Sequence, residues 1–437
     1  MEGFIVSLVI FIAVFAIFAL GLNLQWGFTG LINFGHVAFM TIGAYTTVLL
    51  TLAGIPLWFA PLVGGAFAAL LGLLIGLSTL RLREDYLAIV TIGVSEMIRL
   101  IAVNEEWLTR GTFGLQRFPL PLAEWEPGWL ERVLMVALLT AVVGGAYWRL
   151  ITWMRRSLQK YPLPVIGRAL LLALAYLASL SGLLLGVGRV SAQLKQAATL
   201  PAWAIGGLLL GALVLIGWGY LWLGRRASQT LSHWGMSLGL VAATVIAGLG
   251  LWVFRYAALA LYHYSNNPSK NGLMLISVLL LVLVYVGLET LVRSPWGRVL
   301  KAIREDEEVA RALGKNVFSY KLQSFMLGGF LAGIAGALYA WQLTTVFPDN
   351  FQPIVTFNAW TMVVLGGAGN NLGTILGTTI FWTYDTITRF VLSDIVPLED
   401  SRLGAFRIMV IGLLLMVLMM WRPQGILGKK EELTLGR

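Results

Sequence analysis

The sequence predicts an all-α fold, a polytopic bundle of transmembrane helices, and three observations lead to this prediction. Of the 437 residues, 58% are hydrophobic and only 12% are charged, whereas soluble domains carry about 25% charged residues. Repeated apolar runs approach the ~20 residues that a helix needs to cross a bilayer. The 17 Trp and 49 Gly residues suit interfacial anchoring and close helix packing.

Apolar runs mark the predicted helices along the chain, roughly 10–13 in total. The first, 4–22, is expected to remain as a spanning helix, because no basic residue precedes it as one would in a cleaved signal. The others cover residues 33–51, 57–79, 86–103, 131–152, 164–188, 202–223, 234–262, 272–292, 322–346, 356–366, 372–392 and 404–421. The run 356–366 is short for a span. The run 234–262 is long and contains Arg255, so we expect it to be tilted, broken or partly outside the membrane.

Basic residues orient these helices. Five segments on one side of the predicted topology hold 20 of the 31 Lys and Arg residues. They are 81–83, 149–168, 225–226, 293–321 and 422–437. Because Lys and Arg accumulate in cytoplasmic loops, we expect the C-terminus and the loop 293–321 to be cytoplasmic. The same rule accounts for the net charge of +10 without a nucleic-acid partner.

The segment 293–321 is the longest strongly charged stretch of the chain. Pro295 stands where a helix can begin, Glu307 and Glu308 are spaced to pair with Arg311, and Gly314 can end the helix. Two readings follow from the residues alone: an ordinary solvated loop helix, or a docking helix for a cytoplasmic partner.

A family resemblance lies in the same segment. Glu308, Ala310, Ala312, Leu313 and Gly314, in the order E-x-A-x-A-L-G, resemble the EAA-type loop of ABC-importer permeases. Three further stretches are similar to the branched-chain amino-acid permease family of the LivM kind and occur in the family's order. They lie within 21–45 (GLNL, GFTG, NFGH, GAY), 80–100 (LRLR, DYLAIVT, ExxRL) and 330–369 (FxAGxAGAL, GGxG).

The resemblance implies a domain organisation. It covers residues 1–148, an N-terminal permease half, and residues 265–430, a C-terminal permease half that contains the coupling loop 293–321. The two halves together contain roughly nine predicted helices. Residues 149–264 hold no motif that we match to the family and are interpreted as an accessory helical insert of about four crossings, an even number that preserves the orientation of both flanks. Residues 431–437 are expected to form a cytoplasmic tail.

The resemblance also implies a function: the permease subunit of an ABC importer for branched-chain or other neutral amino acids in a bacterial inner (plasma) membrane. The chain has no G-x-x-x-x-G-K-[ST] phosphate loop, so we expect no catalytic residue and no bound cofactor here. ATP and Mg²⁺ are expected on two separate ABC ATPase subunits, coupled through Glu308, Ala310, Ala312, Leu313 and Gly314. The other implied partners are a second permease of similar fold and an extracytoplasmic solute-binding protein.

Polar residues inside predicted spans, or directly after one, are candidates for the translocation path, since buried polar groups in membranes are costly. They are Asn23, Asn33, His36, Glu96 and Arg99. Each also has a structural interpretation, because amides and His satisfy backbone groups and the spacing of Glu96 and Arg99 permits a local ion pair.

Small residues at four-residue spacing predict close helix packing. They are Gly329 and Gly333, followed by Gly369, Gly373 and Gly377. The loop 366–371 is interpreted as a hinge or re-entrant turn. With no Cys and three His, no metal site is expected.

Two other classes of protein remain open. An ATP-independent secondary transporter or channel would also use broken helices and intramembrane charges, but it would not need the EAA-like loop. An intramembrane enzyme would need a nucleophile and base, or a metal site, that the sequence does not offer. Within the importer hypothesis, urea or short amides are the alternative solutes, and the residues do not discriminate between them and amino acids.

Overall fold

The computed structural model describes residues 2–80, 84–158, 234–395 and 424–428, with scattered positions between 404 and 420. Within these ranges the chain is helical, which confirms the predicted all-α polytopic class. The helices are α1 (Glu2–Gln25), α2 (Val37–Leu52), α3 (Ala60–Thr79), α4 (Glu84–Asn104), α5 (Glu106–Thr109), α6 (Trp129–Leu158), α7 (Trp234–Tyr262), α8 (Pro268–Arg293), α9 (Pro295–Glu305), α10 (Glu307–Ala312), α11 (Val317–Leu343), α12 (Ile354–Gly366) and α13 (Asn371–Ile395). Two short strands, β1 (Leu115–Gln116) and β2 (Thr345–Val346), pair antiparallel with Leu115 opposite Val346.

Among the described residues, 6 helices are long and apolar enough to cross a membrane. They are α1, α3, α4, α6, α8 and α11, while α2 and the Ala247–Tyr262 part of α7 are shorter apolar helices. The chain is therefore a multi-pass membrane protein. The predicted helices 164–188 and 202–223, and most of 404–421, lie outside the described residues.

Two predicted segments differ from the structure. The run 33–51 becomes a helix only at Val37, because the polar residues Asn33 and His36 are held in a loop by side-chain hydrogen bonds. The run 234–262 is one continuous helix, α7, with Arg255 exposed, so of the three alternatives the break is excluded, and a tilt or a part outside the membrane stays a prediction.

The chain divides into two compact units. Unit 1 contains Met1–Met135, Leu259–Thr386 and Ile408–Arg437, and unit 2 contains Val136–Ala258 and Ile387–Arg407. Within unit 2, the hydroxyl of Tyr147 on α6 donates a hydrogen bond to the carbonyl of Ala247 on α7. The predicted insert, 149–264, lies largely outside the described residues, and its boundaries stay a prediction.

Helices α1 and α11 form the centre of unit 1. In each of them, 78% of the most apolar stretch is buried, against 39% in α3, 33% in α4 and 22% in α8. Lipid tails are as apolar as Leu, so helices in a membrane associate through close van der Waals packing. Glycines allow this approach: a Cβ added at Gly43 on α2 would overlap the backbone of Gly333 on α11, and one at Gly336 would overlap the carbonyl of Met40.

We call the two ends of unit 1 the proximal end and the distal end, and we define each end by the residues that lie there. At the proximal end α8 finishes at Arg293, α9 and α10 follow, and α11 begins at Val317. At the distal end lie the β1–β2 pair and the 3-10 helix Pro348–Phe351. Because α1 is antiparallel to α11, with Gln25 bonded to Phe325 and Ser7 to Gln342, α1 ends at the proximal side.

Candidate functional site

Residues 26–36, which we call the interior loop, run without regular helix through the core of unit 1. The loop starts at the proximal end, where the side-chain amide of Gln25 donates to the carbonyl of Phe325 at 2.9 Å. It finishes at His36, whose Nε2 lies 3.1 Å from the carbonyl of Phe18. Phe18 and Gln25 are seven residues apart on α1, about 10 Å at 1.5 Å per residue. Helix α2 therefore begins inside the bundle.

Irregular backbone at membrane depth is tolerated where protein covers it and its polar groups are satisfied. Side chains from two other helices provide this. Thr91 Oγ1 on α4 accepts from the Phe34 amide at 3.2 Å. On α12, Thr356 Oγ1 accepts from the Val37 amide at 2.9 Å, and Trp360 Nε1 donates to the carbonyl of Asn33 at 3.0 Å. These bonds fix the loop to α4 and α12 as well as to α1.

Asn33 and His36 form a buried polar cluster with Gln25. The Asn33 amide donates to Gln25 Oε1 at 2.8 Å, and its oxygen accepts from the Gly35 amide at 2.9 Å. His36 Nε2 faces a carbonyl, which only accepts, so Nε2 carries the proton and Nδ1 faces the Asn33 amide, 3.4 Å away. All three side chains are buried. The cluster is uncharged and has both donors and acceptors.

Asn23 belongs to a second buried cluster. Its Nδ2 donates to Asn371 Oδ1 at 3.2 Å, and its Oδ1 accepts from the Gly369 amide at 2.9 Å. Asn371 Nδ2 in turn donates to Glu289 Oε2 on α8 at 3.2 Å. Three helices, α1, α8 and α13, thus meet through two amide side chains and one carboxylate beside the interior loop.

Replacing Asn23 with Leu should lower stability and disturb this meeting point. Leu has the same branched shape, although its methyl groups are bulkier, and it leaves the Gly369 amide and the side-chain oxygen of Asn371 without these partners, at a cost of about 1–2 kcal/mol. We expect a lower melting temperature in detergent, followed by Trp fluorescence. Ser78→Ala is the control, since Ser78 is exposed and bonds only to its own helix. Equal melting temperatures for both variants would contradict the prediction.

Glu96 and Arg99 lie away from these clusters, at the distal end. Arg99 Nε is 3.0 Å from Glu96 Oε2, which is the local ion pair that their spacing permits. Arg99 Nη1 also donates to Asp349 Oδ1 at 3.1 Å, a partner that sequence reasoning missed because it is 250 positions distant. Arg99 is eight residues beyond Thr91 on α4, about 12 Å further along the helix. The five candidate path residues therefore lie in three places rather than one.

A small open cavity adjoins the distal ion pair. Its volume is about 240 Å³, and its lining is formed by Val103, Thr112, Phe347, Pro348, Asp349 and Asn350. In the part of the chain that the structure describes, no three His, Cys, Asp or Glu side chains are grouped as metal ligands.

The charged segment at the proximal end is two helices, α9 and α10, rather than one. Asp306 separates them: its backbone is extended, with φ −157° and ψ 110°. Its Oδ1 accepts from the amides of Glu308 at 2.9 Å and Val309 at 3.0 Å, which makes it the N-cap of α10. Pro295 is the first residue of α9, and Arg311 pairs with Glu307 at 2.7 Å.

The five candidate coupling residues divide into buried and exposed. Ala310 is 1% exposed and packs with Ile303 and Val317, which ties α10 to α9 and α11. Glu308, Ala312, Leu313 and Gly314 are exposed. Leu313 is 73% exposed and Val309, which sequence reasoning did not select, is 55% exposed. An apolar pair thus faces outward from an otherwise charged loop.

The candidate packing glycines also separate into groups. Gly329 and Gly333 on α11 face Ala68 of α3. Gly373 and Gly377 on α13 lie against the backbone of α12 at Gly366 and Met362. Gly369 was predicted on the same helix face but lies in the turn before α13, with φ +77°, where its amide binds Asn23.

Comparison with known proteins extends these observations over most of the chain. The family model described as "Branched-chain amino acid transport system / permease component" matches residues 4–150 and 163–419. The chain is 25% identical over 415 residues to the high-affinity branched-chain amino acid transport system permease protein LivM of Escherichia coli (strain K12), which is 95% of this chain and 68% of that protein.

Two further relatives are informative. The probable branched-chain amino acid transport permease protein LivM of Methanocaldococcus jannaschii is 26% identical over 284 residues, 62% of this chain and 72% of that protein. The permease protein LivH of the Escherichia coli (strain K12) system is 29% identical over 171 residues, 38% of this chain and 52% of LivH. No solved structure matches the chain.

Proposed function

This chain belongs to the branched-chain amino acid transport permease family and is an ABC-importer permease subunit, and from that premise we propose that it translocates a neutral amino acid through the path of the interior loop. Branched-chain amino acids are the leading candidates, because they are the solutes named for its relatives. Urea or short amides are the second candidate, since a path lined by uncharged amides also suits them.

The observation that carries the proposal is the interior loop itself. Transporters place substrate sites where a spanning helix is interrupted and polar groups are held inside the bundle. Here α2 starts within the bundle, and buried Asn33, His36 and Gln25 offer uncharged donors and acceptors. A small polar solute that carries no net charge needs such partners and no counter-ion. Glu96 and Arg99 would lie at the distal mouth of this path.

We place the energy source on partner subunits. The exposed pair formed by Val309 on α10 and Leu313 directly after it gives an ATPase an apolar docking point at the proximal end. ATP and Mg²⁺ would be held by two ABC ATPase subunits, with no cofactor on this chain. The chain is similar to both LivM and LivH, two permease proteins named for one transport system, which supports pairing with a second permease. An extracytoplasmic solute-binding protein would deliver the solute at the distal end.

The charges of the two ends support an orientation in the bacterial inner membrane with the proximal end cytoplasmic. The proximal end carries Arg298, Lys301, Arg304, Arg311 and Lys315, as the positive-inside rule requires of a cytoplasmic loop. The C-terminal residues Ile426 and Leu427 donate backbone hydrogen bonds to the end of α12, at Leu365 and Gly366. This contact supports a C-terminus on the same side.

Uptake into proteoliposomes tests this function. We expect the permease pair with its ATPase and binding protein to accumulate radiolabelled leucine, isoleucine or valine only when ATP is enclosed on the side of the proximal end. Radiolabelled urea and acetamide, the second candidate solutes, are tested in the same assay for comparison. Uptake of urea but not of leucine would favour the second candidate, and uptake independent of ATP would contradict an ATP-driven importer.

A further inference from the structure

Helix α9 contacts the interior loop directly through two basic side chains. Arg304 Nη1 donates to the carbonyl of Gly27. Lys301 Nζ lies 5.6 Å from the centroid of the Phe28 ring, within the range of a cation–π interaction. Lys301 and Arg304 are three residues apart and therefore share one face of α9.

The backbone of the interior loop also packs on Arg304. A Cβ placed on Gly30 would be 3.6 Å from Arg304 Cγ and 3.7 Å from its Cα, so the loop lies in van der Waals contact with this part of α9. Phe28 is 2% exposed, so its ring is fixed inside the bundle. The proximal part of the loop is thus held between α9 and the core of unit 1.

Gly27 in turn touches the buried amide cluster. A Cβ placed on Gly27 would overlap Asn23 Oδ1 and would lie 2.5 Å from the amide nitrogen of Gly369. Movement of the Gly27 carbonyl therefore displaces Asn23, which links α1 to α13 through Asn371. Arg304 on α9 is thus connected to the buried amide cluster through Gly27 and then Asn23.

Helix α9 is also fixed to α10, so the two move together. Ile303 of α9 packs with Ala310 of α10 and with Val317 of α11. Glu307 of α10 forms ion pairs with Arg311 and with Lys321 of α11. A force applied to the exposed face of α10 is therefore carried into α9, where Arg304 lies.

We propose that Arg304, assisted by Lys301, is the positioning residue that transmits displacement of the ATPase-facing helices α9 and α10 to the interior loop. This inference rests on the proposed function, because it assumes that an ATPase acts on α10. Arg304 does not contact the solute. It acts through the carbonyl of Gly27, and its loss separates ATP hydrolysis from movement of the loop.

The test compares Arg304→Gln with Arg298→Gln in the complete reconstituted transporter. Arg298 is on the same helix, has the same charge and is exposed. We expect Arg304→Gln to retain bound ATPase subunits and ATP hydrolysis while solute taken up per ATP falls at least tenfold. Arg298→Gln should keep the wild-type ratio. Arg304→Lys should recover part of the ratio, since a Lys ammonium still donates to a carbonyl.

Two results would overturn the inference. One is a wild-type ratio of uptake to hydrolysis in Arg304→Gln. The other is loss of bound ATPase subunits in that variant, which would make Arg304 a docking residue. If Arg304→Gln does not fold, Arg304→Lys decides: a reduced ratio supports the inference and an unchanged ratio overturns it. Absence of uptake in the wild-type transporter would instead count against the proposed function.

Discussion

Replacing Gly43 with Ala should lower the melting temperature of the isolated protein in detergent by about 1–3 °C. The added Cβ would overlap the Cα, carbonyl carbon and oxygen of Gly333. These are backbone atoms of a central helix, so no side chain can rotate away. Helices α2 and α11 must separate, and overpacking of this kind costs about 1–3 kcal/mol. Scanning Trp fluorescence during heating measures the change.

Two glycines on other helices supply the control. Gly93 on α4 and Gly287 on α8 are exposed, and an added Cβ meets no atom within 4 Å. Ala is favoured over Gly in a helix by about 1 kcal/mol, so Gly93→Ala and Gly287→Ala should leave the melting temperature unchanged or raise it. If all three variants have the same melting temperature, the contact between Gly43 and Gly333 does not limit stability.

The long spanning helices among the described residues were predictable because a spanning helix is a local property of sequence. About 20 apolar residues suffice to specify one, and α1, α3, α8 and α11 begin and end near the predicted bounds. The start of α2 was not predictable from hydropathy. Asn33 to His36 lie in an apolar run, and their hydrogen-bond partners, among them Gln25, Phe18 and Trp360, hold them out of the helix.

The partners of the candidate residues were missed for a related reason. Asn23 meets Asn371, 348 positions away, and Arg99 meets Asp349, 250 positions away. Hydrogen bonds at such separations depend on the tertiary arrangement, which one sequence does not specify. The sequence did contain one signal, since burying a polar side chain in a membrane without a partner costs free energy. This cost predicts that each such side chain has a partner, but it does not identify the partner.

The division of the charged loop into α9 and α10 did have a local signal. Asp306 precedes Glu307 and Glu308, and an Asp followed by acidic residues is a common helix N-terminus. Reading Glu305 to Glu308 as a single acidic run hid this cap. The structure shows Asp306 bonded to two amides of α10, so the loop can present α10 in a direction different from that of α9.

Replacing Leu313 with Asp should remove the ATPase from the transporter while leaving the permease folded. Leu313, directly after α10, is 73% exposed and Val309, four residues earlier, is 55% exposed, so they form one apolar patch at the end of α10. A central apolar anchor in an interface contributes about 2 kcal/mol or more, and its loss weakens binding about 30-fold. Co-purification of the ATPase and ATP-dependent uptake should both decline, and the permease should melt as the wild type does.

Two variants separate docking from folding. Phe113→Asp alters a side chain at the distal end that is 76% exposed, so the ATPase should stay bound. Ala310→Asp places a carboxylate against Ile303 and Val317, so it should destabilise the loop as well as undock the ATPase. Gly314 is a less clear probe, because its φ of +73° means that a larger residue adds about 1–2 kcal/mol of backbone strain. Normal ATPase binding by Leu313→Asp would contradict docking at this apolar patch, since Leu313 is the more exposed of its two side chains.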